Sequence, residues 1–219
     1  MNQPQRFILR ATYIERGRLA MLSHLEVARA LERTVRRSQL PFAVSQGFSP
    51  HMKISFGAAL PVGIGSTCEI FDIQLTRYVS AEQALSALQN ASVPDLMVTE
   101  ARYIGADEKA ASVAFPVSTY EVEFSGAPGA LEVPAEILRR RKNKKDKVLV
   151  VSDYLVSGFR FDEANPCCAR FSLEARDDGS LRPDLLVEES VRMYNAGSPA
   201  EPLAVRGIVR VAQGKSAAR

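Results

Sequence analysis

Two histidines, His24 and His51, are the only ones in the 219-residue chain, and both lie in its first quarter among cations. His51 follows Pro50 and precedes Lys53 in "SQGFSPHMKISF", while His24 opens "HLEVARALERTVRR". Imidazole and ammonium groups at such spacing suit phosphate chemistry. They could grip phosphate oxygens, or they could protonate and stabilise a phosphodiester under attack. Guanidinium forks at Arg29, Arg33, Arg36 and Arg37 would add bidentate phosphate contacts. The bland alternative is a solvated helix face whose arginines pair with Glu26 or Glu32, each pair worth a few tenths of a kcal/mol. His24, for its part, could simply hydrogen-bond a neighbouring loop.

These residues need elements to hold them. Ser23 followed by Glu26 is a capping box, so a helix is expected to start at His24 and to stop before Pro41. At about 100° per residue, Val27, Ala28, Leu31 and Val35 share one face and the four arginines lie opposite. The first turn of that helix also offers backbone N–H groups that an anion can use. Gly47 and Pro50 predict a tight loop carrying His51 and Lys53. Helix and loop set the two histidines apart, since a helix of about 15 residues spans roughly 22 Å. That separation argues against a two-histidine nuclease unless the loop folds back along the arginine ridge.

Strand-like runs over 6–14, 53–60, 68–76 and 95–104, with helices over 24–40 and 80–91, give the order βαββαβ. This is the ferredoxin-like arrangement, with one helix-covered face and one open face. If Phe7, Leu9, Ile54, Phe56, Phe71 and Ile73 face the helices, then Arg10, Thr12, Lys53, Ser55, Asp72 and Gln74 fall on the open side. A small, polar stretch, "GADEKAAS" at 105–112, marks a boundary. Beyond it a second, degenerate βαββαβ is expected, including a short helix in "VPAEILRRRKN" and another opened by Pro183. The fold expectation is therefore α+β, as tandem ferredoxin-like domains at 1–104 and 113–213.

Net charge is +3, but the charge is segregated. Residues 1–60 hold nine Lys/Arg against three acids, residues 61–138 three against eleven, and the run "RRRKNKKDK" at 139–147 seven against one. Basicity confined to two segments fits a surface that attracts phosphates without making the whole molecule adhesive. Three cysteines without a CxxC pair favour a reducing compartment, and a cytoplasmic location is expected. The sequence shows no secretory leader, no apolar run of membrane-spanning length and no metal-ligand motif. No cofactor is expected.

The stretch 23–75 resembles the DUF2344-type family of radical-SAM-linked bacterial proteins. The likeness is carried by Ser23, His24, Leu25, Arg29, Arg33, Arg36, Arg37, Pro41, Ser45, Gly47, Phe48, Pro50, His51, Ser55, Phe56, Leu60, Pro61, Gly63, Ser66, Glu69 and Asp72. Met52 stands where the family has proline and Glu26 where it has aspartate; from about residue 105 the likeness is one of organisation only. The resemblance implies a partner that is a radical-SAM protein, and a genetic setting near ribosomal-protein and ribonuclease genes. The chain lacks the cysteine triplet that holds a [4Fe–4S] cluster, so it is not expected to be the radical enzyme itself. The leading expectation is an RNA-binding accessory protein whose contacts are His24, Arg29, Arg33, Arg36, Arg37, Ser45, Gly47, His51 and Lys53, acting on RNA or a ribosomal component and not at a membrane. The alternatives are a metal-independent endoribonuclease using His51 and Lys53, with His24, and a protein-only adaptor for the radical-SAM partner.

Overall fold

The computed structural model describes residues 6–105, 107–140, 146–176 and 179–216. The fold is mixed α+β and rich in sheet, and the chain divides into two compact units, Met1–Phe115 and Pro116–Arg219. Among the described residues, no helix is long and apolar enough to cross a membrane.

The first unit runs β1 (Phe7–Glu15), α1 (His24–Arg37), β2 (Ile54–Phe56), β3 (Gly65–Leu75), α2 (Ala81–Ala91) and β4 (Val98–Ile104), with a 3-10 turn at Gly17–Met21. Within the unit the strand order is β4-β1-β3-β2 and every neighbouring pair is antiparallel. Alternation along the strands decides the faces. Leu9, Ala11, Tyr13, Phe71 and Ile73 are buried with Val27, Leu31 and Val35 of α1 and with Ala84 and Leu88 of α2. Both helices start as the sequence predicts. At α1 the Ser23 N–H and hydroxyl donate to Glu26 Oε2 (2.8 and 2.7 Å) while the Glu26 N–H donates to Ser23 Oγ. At α2 the Gln83 N–H donates to Ser80 Oγ.

The other face of this sheet is not open at its centre. Arg102, Arg10, Asp72 and Ser55 form one row across four strands. The segment Asp107–Phe115, expected as a boundary, folds over that row and ends in the short helix α3 (Ala111–Ala114). Arg10 binds Asp72 through two N–H···O bonds (2.7 and 2.9 Å) and donates to the Lys109 carbonyl. The Ala111 N–H donates to Asp72, Phe115 lies under the Arg10 guanidinium, and Glu108 bridges Arg102 to Arg10. The strap leaves Arg10 4% and Asp72 5% exposed. A buried carboxylate and guanidinium must satisfy their hydrogen bonds, and the strap supplies the groups that two neighbouring strands cannot.

The second unit runs β5 (Val117–Phe124), β6 (Glu136–Arg139), β7 (Lys147–Val150), β8 (Leu155–Phe161), β9 (Cys168–Glu174), α4 (Pro183–Ala196) and β10 (Val205–Gly214). Strands β10-β5-β9-β8 form an antiparallel sheet, and β6 and β7 form a separate two-stranded ribbon. Helix α4 begins with Pro183, whose missing N–H costs nothing in a first turn. The helix expected in "VPAEILRRRKN" is instead the strand β6. Its Ile137 and the Leu149 opposite are buried while Glu136 and Leu138 point outward, a period of two. The unit thus departs from βαββαβ where its first helix was expected. Of the basic run, Arg139 and Lys147 face each other across the ribbon, and residues 141–145 lie outside the described residues.

Candidate nucleic-acid interface

Helix α1 places Arg29, Arg33 and Arg36 within an arc of about 60°, opposite its buried Val27, Leu31, Thr34 and Val35. All three are exposed, and among the described residues none makes an ion pair. Arg37 departs from this stripe: its Nη2 donates to the Ala91 carbonyl at 2.5 Å, closing the C-terminal end of α2. It serves the fold first. Arg36 connects the ridge to the loop that follows, because its guanidinium stands over the Phe42 ring at 5.5 Å.

That loop is built as a closed finger. Phe42 and Ala43 attach to β3, where the Ala43 N–H donates to the Gln74 carbonyl (2.8 Å). Val44 pairs antiparallel with Met52. The Ser45 N–H then donates to the His51 carbonyl (2.8 Å) and the His51 N–H donates to Ser45 Oγ (2.9 Å). The five residues between them, Gln46–Pro50, are all exposed. Gly47 adopts φ +130, a conformation that only glycine takes without strain. Phe48 stands fully exposed at the tip, and His51 and Lys53 are exposed at its base. From Arg33 to Cys68 the sequence contains Arg33, Arg36, Arg37 and Lys53 but no Asp or Glu. The finger thus carries no carboxylate of its own, while the arginine stripe on α1 is flanked on the same helix by Glu26 and Glu32.

His24 belongs to different surroundings. Its ring meets Phe56 edge-on, with centroids 5.9 Å apart. His51 sits in the finger, five residues before Phe56 in the chain, and is not among the residues that line the cleft around His24. His24 lines a narrow cleft with Tyr13, Glu15 and Glu69, and apolar walls come from Leu22, Val27, Phe56 and Leu60. The two glutamates are each 3% exposed, and the space between the walls is about the size of one water molecule. Glu26, two residues on, caps the start of α1 with its carboxylate, so His24 has acidic neighbours both in the cleft and on its own helix. Among the described residues, no group of three His, Cys, Asp or Glu side chains is arranged to hold a metal ion.

Sequence reasoning took Phe48 and Glu69 only as parts of a motif and gave them no role, and it did not single out Tyr13 and Glu15 as site residues. Tyr13 and Glu69 are cross-strand partners on β1 and β3, a pairing that only the register reveals. No disulfide joins Cys68, Cys167 and Cys168. Burial pushes the Cys168 thiol above its ordinary value, and the Asn165 amide donates to its Sγ at 3.1 Å.

No curated protein matches the chain. The model of the DUF2344 family, described as "uncharacterized protein conserved in bacteria", matches residues 9–183. This reaches far beyond the motif at 23–75 and takes in β1, the strap and much of the second unit. The chain belongs to the DUF2344 family.

Proposed function

We propose that the chain is an RNA-binding accessory protein that works with a radical-SAM enzyme on an RNA or ribosomal substrate. We read the first unit's βαββαβ order as ferredoxin-like and the second unit as its degenerate counterpart, with the ribbon β6–β7 in place of a helix. One observation carries the RNA reading. Arg29, Arg33 and Arg36 are exposed and unpaired beside an acid-free finger that presents His51 and Lys53. Guanidinium and ammonium groups left without carboxylate partners are available to phosphate oxygens. The radical-SAM partnership rests on the family resemblance alone. Catalysis by paired histidines gains no support, because His24 and His51 occupy separate surroundings.

Filter binding of single-stranded RNA across a salt series tests the proposal. Log affinity should fall linearly with log salt by about 0.7 for each phosphate neutralised. A flat dependence would dismiss it.

A further inference from the structure

Phe48 lacks any apolar reason to be where it is. Its side chain is fully exposed, and among the described residues no aromatic ring packs against it. The finger beneath is held by the Val44–Met52 bridge and by the reciprocal Ser45–His51 hydrogen bonds. A ring held out on a braced loop loses little conformational freedom when something stacks on it. We propose that Phe48 is a stacking platform for one unpaired nucleobase, so that the bound RNA is single-stranded at this point. The inference rests on the RNA-binding reading and names its substrate class.

Three observations converge on a base as the occupant. Both ring faces are accessible, and every nucleobase offers a π-face to an exposed aromatic side chain. The same finger exposes the His51 imidazole and the Lys53 ammonium at its base, and Arg36 of α1 reaches the finger's root through its contact with Phe42. The sequence from Arg33 to Cys68 holds no carboxylate that would repel the phosphates on either side of a stacked base. An A-form duplex cannot meet this demand, because its bases are already stacked on one another and its grooves do not offer their faces.

The chain contains no tryptophan, so Phe48→Trp introduces a single emission reporter at the platform. Adding a single-stranded oligoadenylate should quench that emission, while a duplex of equal length at the same salt should leave it unchanged. Phe48→Ala should weaken single-strand affinity about 5- to 150-fold with the salt slope intact, since stacking neutralises no phosphate. Three results would overturn the inference while leaving RNA binding standing: salt-dependent binding without quenching, equal affinity for duplex and single strand, or wild-type affinity in Phe48→Ala. Emission that responds to the purified radical-SAM partner but not to RNA would also overturn it, by assigning the finger to a protein. If the wild-type chain binds no RNA at low salt, the broader reading fails and the platform with it.

Discussion

Arg10 and Asp72 face one another across β1 and β3, and both are closed off from water by the strap Asp107–Phe115. Removing one partner of such a pair strands the other as an uncompensated buried charge. Asp72→Ala should therefore lower stability by about 3–5 kcal/mol in urea denaturation, while Arg10→Met combined with Asp72→Leu should cost much less. Glu108 is the strap's exposed clamp. Hydrogen bonds from Arg102 hold its carboxyl well below the usual 4.5, at about 2. A carboxylate whose folded value is depressed contributes above its unfolded value and loses that contribution as pH falls through the folded one. The Ala111 amide, which donates to Asp72, reports strap docking. Its hydrogen exchange should be slower in the wild type than in Glu108→Gln above pH about 4.5, and the two should converge near pH 2.

Helix α1 positions every arginine of the ridge, and its start depends on the Ser23–Glu26 box. Ser23→Ala should cost about 1 kcal/mol, measured as a shift in the urea midpoint. The hydrogen bonds from Ser23 also hold the Glu26 carboxyl below its ordinary value. The penalty of Glu26→Gln, present at neutral pH, should shrink as the solution is acidified below the usual carboxylate range. This helix was legible in the sequence because capping box, apolar stripe and Pro41 all point to the same boundaries. The strands of the first unit were legible too, since Leu9, Ala11, Phe71 and Ile73 alternate with polar residues. Strand β6 was not. "EILR" at Glu136–Arg139 contains good helix formers, and it becomes a strand only because β7, about ten residues on, covers Ile137 with Leu149. Pairing across a gap leaves no local trace. The strap escaped notice for the same reason: "GADEKAAS" has the composition of a linker, and its role depends on the Arg10–Asp72 row that no sequence spacing announces. Phe48 was recorded in the motif, yet its exposure follows from the finger's closure at Ser45 and His51.

At the scale of the whole molecule, a net charge of +3 conceals a first segment of 60 residues with an excess of six cations, followed by 78 residues with an excess of eight acids. On the RNA-binding reading proposed above, attraction of a polyanion would be local to α1 and the finger and not a property of the total charge. The family model spans residues 9–183 and so embraces both the basic surface and the acidic stretch. The decisive measurement compares wild type with the charge-reversed Arg29→Glu/Arg33→Glu/Arg36→Glu protein by titrating single-stranded RNA over a range of salt concentrations. With the ridge neutralising phosphates, the reversed protein should bind far more weakly, and the magnitude of its log–log salt slope should drop by about 2. An unchanged affinity and an unchanged slope would contradict the placement of phosphates on α1.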